Sequence, residues 1–172
     1  MATLTKTSSV TARVVAQPSA IVPGIPPFVF SVPKGWVVDQ APGALAVIRS
    51  PEEVGGFWLN AILSHDKVAR SVGFQEAAAF TWARLQKQCP DVEKSFEKFA
   101  QFEGRPVFLR GSEMTSPQSK RRLAQLQAIF FAPVTGPGKV VDFFQIVCTA
   151  PTELSSSIGP DMLELIGSFK FV

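Results

Sequence analysis

Phe28-Val-Phe-Ser-Val-Pro-Lys-Gly-Trp36 is the stretch that decides the fold, together with the closing stretch Ile166-Gly-Ser-Phe-Lys-Phe-Val172. The first stretch places Phe28, Phe30 and Val32 on one face, as a half-buried strand does, and stops at Pro-Lys-Gly-Trp. The second follows a predicted helix with a short Ser-Phe-Lys-Phe strand. Together they predict one sheet whose first and last pieces are both tied down.

The residues between these ends divide into runs of strands and two helices. The predicted strands are 28–32, 45–49, 57–64, 92–102, 107–114, 122–131 and 140–149. One helix is predicted over 72–88, with Ser71 as its N-cap, and a second from Pro151 onward, interrupted at Gly159-Pro160. Because strands and helices are segregated, we expect an α+β domain with a mainly antiparallel sheet. Residues 1–27 are predicted to be a flexible N-terminal segment, and 28–172 a single domain.

The faces of two predicted strands bear on what covers the sheet. In the third strand one face holds Phe57, Leu59, Ala61 and Leu63, and the other holds Trp58, Asn60 and Ile62. Both faces are largely apolar, so we expect a layer on each side of the sheet. In strand 122–131 one face holds Ala124, Leu126, Ala128 and Phe130. The two alanines predict either a close helix approach or a groove.

Composition and charge limit the class of protein. At 172 residues, with 46% hydrophobic and 18% charged residues, the chain fits one globular domain and is too apolar for disorder. Its net charge of +3 includes one cluster, Lys120-Arg121-Arg122. The cluster is interpreted as a solvated hairpin end, with an anionic-lipid or nucleic-acid contact as the alternative. No aromatic-interleaved basic stripe accompanies it, so we expect no nucleic-acid partner.

The cysteines and the apolar runs bear on location. Cys89 and Cys148 are too few for a disulfide framework, and Cys148 is predicted to be a buried apolar side chain. No apolar run approaches the roughly 18 residues that span a bilayer. The chain as given shows neither a signal peptide nor a lipobox cysteine. Taken literally, these features predict a cytoplasmic protein; a longer natural chain would allow the cell envelope.

No arrangement of residues predicts catalysis. Ser64-His65-Asp66 contains the three residue types of a catalytic triad, but consecutive side chains cannot converge. His65, the only histidine, is predicted to lie in a surface loop, and a histidine metal site lacks partners. Gly136-Pro-Gly-Lys139 lacks the spacing of a phosphate loop and is predicted to be a hairpin turn. We therefore expect no catalytic residue, no metal, no cofactor and no enzyme activity.

The order of short motifs resembles the LpqN/LpqT family of actinobacterial envelope lipoproteins, within the wider Mog1, PsbP and DcrB-like superfamily. The matching segments are Phe30-Ser-Val-Pro-Lys-Gly-Trp36, Gly55-Gly-Phe-Trp-Leu-Asn60, Phe102-Glu-Gly-Arg-Pro-Val107, Leu109-Arg-Gly111, the strands 125–133 and 143–149, and Ser168-Phe-Lys-Phe171. The resemblance covers about residues 28–172. It implies an α/β/α sandwich around an antiparallel sheet, no enzyme activity, and a carrier or adaptor connected with envelope lipids that works beside membrane transport proteins.

The DcrB-like chaperones of secretion effectors offer a second resemblance, since they share the Pro-x-Gly-Trp opening and the Ser-Phe ending. They are cytoplasmic and shelter apolar segments of a client protein. The leading hypothesis is a carrier or adaptor for an apolar ligand, with a site at Trp36, Trp58 and Asn60. Replacing Trp58 by Ala is then expected to abolish ligand binding without unfolding. The alternative is a protein-binding module, such as a DcrB-like chaperone or a Mog1-like regulator, with a homodimer left open.

Overall fold

The computed structural model describes Pro18, residues 23–134 and residues 138–172. In these residues the strands are β1 Phe28–Val29, β2 Val37–Asp39, β3 Ala46–Arg49, β4 Asn60–Ala69, β5 Glu93–Phe102, β6 Arg105–Thr115, β7 Arg122–Phe131, β8 Val140–Pro151 and β9 Lys170–Phe171. The helices are α1 Phe74–Gln88 and α2 Ser155–Ser168, and a 3-10 turn spans Thr152–Leu154. Most of the predicted flexible segment 1–27 and the first half of the predicted turn Gly136–Lys139 lie outside the described residues.

Seven strands form one antiparallel sheet in the order β2-β3-β4-β8-β7-β6-β5. Consecutive residues of β7 point to opposite faces. Ile129 packs with Ala77 and Ala78 of α1, whereas Ala128 packs with α2 residues such as Leu165. The helices therefore cover opposite faces, here called the α1 face and the α2 face. The predicted α+β class and α/β/α layering are confirmed.

The two ends of the chain pair with each other, and not with the main sheet. Phe28 of β1 lies opposite Phe171 of β9 in a separate two-stranded sheet. The prediction of a single sheet was therefore wrong. The phenylalanines of both ends pack on the α2 face, where the Phe28 and Phe169 ring centroids are 5.0 Å apart and those of Phe130 and Phe169 are 4.7 Å apart. These ring contacts bury Phe169 to 1% exposure and half-bury Phe28.

The observed bounds of other strands and helices differ from the predicted bounds for local reasons. β2 follows the Gly35 turn, where φ is 82°, so a strand lies beyond the predicted stop at Trp36. α1 begins at Phe74 with Gly73 as its N-cap and without a side-chain cap, so Ser71 does not cap it. α2 runs without interruption through Pro160. The Ser156 carbonyl that loses its helical partner there belongs to an exposed residue, so water can solvate it.

His65 lies within β4, so its predicted placement in a surface loop was wrong. Its side chain is only 11% exposed, and Nε2 lies 2.7 Å from Oδ1 of Asp142 on β8. The imidazole can be buried because this carboxylate satisfies it. Burial would raise the pKa of Asp142, but hydrogen bonds from Lys67 and His65 outweigh burial and hold that pKa below its ordinary value.

Arg110 of β6 joins α1 to the sheet. Its side chain is 1% exposed. Nε donates to Glu97 at 2.8 Å, Nη1 to Oε1 of Gln127 at 2.9 Å, and Nη2 to the Ala78 carbonyl of α1 at 2.6 Å. The guanidinium also lies 5.1 Å from the Trp82 ring centroid. A charge this deeply buried is tolerated because it is both paired and hydrogen-bonded.

We predict that Arg110→Met destabilises the fold by about 2–4 kcal/mol, because Gln127 and the Ala78 carbonyl lose a buried partner while the aliphatic volume is largely kept. Urea denaturation followed by circular dichroism measures the change. Arg122→Leu is the matched control: Arg122 is 37% exposed and pairs with surface carboxylates, so its loss is expected to be much smaller. Equal losses for the two variants would contradict the role given to Arg110.

Both cysteines are free and buried, as predicted for Cys148. Burial raises the pKa of Cys148 from its ordinary value of 9.0 to about 12. We predict that a thiol reagent at pH 8 modifies Cys148 only after denaturation. Between about pH 9 and 12 the unfolded state loses this proton while the folded state keeps it, so this group lowers stability as pH rises. Rapid modification of Cys148 in the native protein would contradict its burial.

Candidate functional site

The α2 face contains a pocket of about 300 Å³ between the first half of α2 and strands β5–β8. Three adjacent strands form its floor, with Leu126 opposite both Gly111 and Cys148 and with Ala124 opposite Ala150. Ile158, Met162 and Leu163 of α2 form one wall, with Ser155 and Ser156 at the rim. The pocket is therefore mainly apolar with a few polar groups at its edge, as ligand sites commonly are.

The pocket exists because the floor side chains are small where α2 no longer covers the strand. At Ala128 the helix approaches closely and the alanine is fully buried. At Ala124, on the same face of β7, the floor remains partly exposed and opens into the pocket. The sequence predicted either a close helix approach or a groove at these two alanines. In the structure, β7 has the close approach at Ala128 and the groove at Ala124.

Phe96 of β5 forms the roof at the outer end of the pocket. The strand register shifts between Lys94 and Phe96, and Phe96 then lies opposite Gly111. Its ring occupies the space above that glycine, where a Cβ atom would lie 2.3 Å from Phe96 Cε1. Phe96 is itself 42% exposed and belongs to an edge strand. The roof is therefore open to solvent on its outer side.

The chemistry of this pocket suits binding. Its thiol, Cys148, has a pKa near 12 and stays protonated at neutral pH. Its charged side chains are Lys98 and Glu113, and both lie at partly or fully exposed positions of the rim. Within residues 23–134 and 138–172, no three His, Cys, Asp or Glu side chains are grouped so that they could hold a metal ion.

A second concave surface lies on the α1 face. This cleft of about 630 Å³ lies between α1 and strands β4, β7 and β8. Its floor includes Gln127 and Gln145, joined by a 2.8 Å hydrogen bond, and Ile62. Phe80 of α1, at its rim, is 70% exposed. The cleft is larger and more polar than the pocket under Phe96.

The structure brings together two of the three predicted site residues. Asn60 donates its side-chain amide to the Trp58 carbonyl at 2.8 Å, and Arg49 lies 4.6 Å from the Trp58 ring centroid. Trp58 and Asn60 lie beside Ile62 on the α1 face. Trp36 packs against the hydrophobic cluster of the α2 face and lines a separate depression with Asp161 and Glu164. None of the three lines the pocket under Phe96.

Sequence reasoning missed the roof and wall of this pocket, namely Phe96, Gly111, Met162 and Leu163. Two signals pointed there. One was Ala124, already noted for its small side chain, and the other was Gly111, a glycine inside an apolar strand, which marks a close approach of another group. Neither signal gives the position of α2, on which the pocket depends.

The basic cluster Lys120–Arg122 is largely engaged within the chain. Arg121 donates to the Gly55 carbonyl and to Glu153. Arg122 lies 3.3 Å from Asp91 and 3.1 Å from Glu93. Hydrogen bonding to Arg121 lowers the pKa of Glu153. These carboxylates neutralise much of the cluster, which favours the hairpin-end interpretation over an anion-binding surface.

The chain is similar to known proteins in structure, at low sequence identity. No family model and no curated protein sequence matches the chain. The crystal structure of LpqN, involved in cell envelope biogenesis of Mycobacterium tuberculosis, matches with a TM-score of 0.70 at 14% identity over 87% of this chain and 86% of that one. Cyanobacterial PsbP from Synechocystis matches at 0.56 and 13% identity, over 87% and 95% of the two chains.

The Ran-binding protein Mog1p of Saccharomyces cerevisiae matches with a TM-score of 0.53 at 15% identity over 84% of this chain and 90% of that one. These likenesses are in structure and not in sequence. No helix among the described residues is long and apolar enough to cross a membrane. The predicted resemblance is confirmed at the level of structure: the chain has the Mog1/PsbP-like fold that LpqN also has.

Proposed function

We propose that this chain is a non-enzymatic binding protein that holds an apolar ligand, or the apolar end of an amphipathic one, in the pocket beneath Phe96. The observation that carries the proposal is the apolar floor left uncovered by α2, at Ala124 and Leu126. Apolar surface in such a position gains free energy when a ligand removes it from water. Ser155 and Ser156 at the rim would contact the polar end of an amphipathic ligand.

The size of the pocket limits the ligand. An apolar protein cavity of about 150 Å³ accepts benzene, and this pocket has about 300 Å³. It therefore suits a group of roughly ten to twelve non-hydrogen atoms, such as the end of a single alkyl chain. A whole lipid would leave its remaining part outside, beside the rim serines Ser155 and Ser156.

The likeness to LpqN supports the direction of this proposal. LpqN is involved in cell envelope biogenesis, and an apolar-chain site would serve a carrier or adaptor for envelope lipids. A membrane transport protein as partner and an actinobacterial envelope as setting belong to the same proposal, whereas a cytoplasmic carrier is its alternative. For this pocket we propose binding alone.

The second candidate function is protein binding. It is favoured by Phe80, which is 70% exposed at the rim of the cleft on the α1 face, and by Ile62, which lines the same cleft and is 39% exposed. Large exposed apolar side chains that cluster on one side of a protein often mark an interaction surface. Mog1p, which has the same fold, is a Ran-binding protein, so the fold is compatible with a protein partner.

We predict that Ala124→Leu lowers affinity for decanoate at least tenfold, because the added side chain occupies the floor of the pocket. Isothermal titration calorimetry with decanoate and with hexanoate measures the change. The longer chain is expected to bind more tightly to the parent protein because it buries more apolar surface. Ala124→Leu leaves the strand aliphatic, and its melting temperature checks that it folds.

Trp58→Ala is the matched control. The pocket proposal expects decanoate affinity to stay within about twofold of the parent, since Trp58 lies on the other face of the sheet. Loss of binding in Trp58→Ala with full binding in Ala124→Leu would move the site to the originally predicted residues. No binding by the folded parent protein would overturn the apolar-ligand proposal and favour the protein-binding function.

A further inference from the structure

Among the described residues, no strand pairs with the outer side of the edge strand β5. It is a ten-residue strand at the end of the main sheet, and every residue from Glu93 to Phe99 is exposed. β2, at the opposite edge, has three residues. Alternate residues of an edge strand turn their N–H and C=O groups away from their one neighbour. A long uncovered edge is therefore a template for a further strand.

β5 also exposes aromatic side chains on both faces. Phe96, opposite Gly111, lies on the α2 face, and Phe99, opposite Phe108, lies on the α1 face. The exposed fractions are 42% for Phe96 and 57% for Phe99. A strand added to this edge would cover both rings and pair the free backbone groups at once.

We propose that the added strand is β5 of a second copy of this chain, paired antiparallel about a twofold axis at Phe99. The regular part of the strand extends from Phe96, where the bulge ends, to Phe102, where the turn to β6 begins. Phe99 is the centre of that stretch. An axis there lets the whole regular part pair with itself.

Side-chain chemistry selects this register. With the axis at Phe99, each Phe99 faces the partner's Phe99, and Phe96 faces the partner's Phe102. Lys98 faces the partner's Ala100, and Glu97 faces the partner's Gln101. Aromatic pairs directly opposite one another stabilise antiparallel strands, and no like charges meet in this arrangement.

The neighbouring registers are unfavourable. An axis at Lys98 or at Glu97 places each of these residues opposite its own copy, and like charges meet. An axis at Ala100 places Glu97 opposite the partner's Glu103. An axis at Phe96 places Lys94 opposite the partner's Lys98. Like charges directly opposite one another destabilise a strand pair, so among the axes from Phe96 to Ala100 only the register centred on Phe99 avoids them.

The dimer should be weak. The bulge after Lys94 limits regular pairing to one short stretch, and a single added strand lies at the small end of protein interfaces. We therefore expect a dissociation constant in the micromolar range or above, and a dimer that is visible only as concentration rises. The proposal does not depend on the ligand pocket, although Phe96 belongs to both surfaces.

Sedimentation equilibrium from low micromolar to millimolar concentration tests the dimer. We expect the apparent mass to rise from one chain towards two, and to stay at one chain in Phe99→Lys, which places like charges on the axis. Phe80→Lys is the matched control, since it replaces another exposed phenylalanine away from the edge and should still dimerise. A parent that stays monomeric, or a Phe99→Lys variant that still dimerises, would overturn the proposal.

Cysteine cross-linking tests the register with variants on the edge strand that leave the Arg110–Glu97 pair intact. Under mild oxidation, a mixture of Lys98→Cys and Ala100→Cys proteins is expected to form a disulfide heterodimer, and neither protein alone a homodimer. Directly opposite residues have Cα atoms about 4.5–5.5 Å apart, within disulfide range. Cys89 and Cys148 are buried and should not react. Efficient homodimers of Lys98→Cys alone would overturn the Phe99 register.

Discussion

The buried guanidinium of Arg110 is the interaction on which the α1 side of this protein depends. It connects three parts of the fold: a carboxylate of the edge strand at Glu97, an amide of the sheet at Gln127, and a backbone carbonyl of α1 at Ala78. α1 buries only Ala77 and Ala78 fully, and its main aromatic contact with the sheet, Phe74 against Phe131, lies at its first turn. The buried Arg110 charge has several partners, and these contacts fix where α1 lies on the sheet.

The α2 side is organised differently, by aromatic packing at the two ends of the chain. Phe28, Phe169 and Phe171 surround the sheet residues Phe130 and Phe144. Arg105 lies 5.0 Å from the Phe130 centroid and donates to the Phe169 carbonyl just beyond the C-terminus of α2. This anchors the last turn of the helix over one half of the sheet. α2 does not cover the other half, at Ala124 and Leu126, and the pocket lies there.

Pocket and edge strand meet at Phe96. The same register shift that turns Phe96 over Gly111 also ends the regular part of β5. A ligand under the roof and a second copy at the edge would therefore both contact one side chain. Binding and self-association can be measured separately, since Ala124 belongs to the pocket alone and Phe99 to the edge alone.

Apart from the short strand β2, the sequence by itself determined the element types, the antiparallel α+β class and the strand faces, because alternation and helical periodicity are local. It also placed Cys148 in the interior and marked Ala124 as a position of a groove or a close helix. It did not give the pairing of β1 with β9, the burial of His65, or the gap beneath Phe96. Those depend on residues distant in the chain: Phe171 opposite Phe28, Asp142 beside His65, and α2 anchored at only one end of the sheet. Only the tertiary structure brings these groups together, because their contacts have no periodic signature in the sequence.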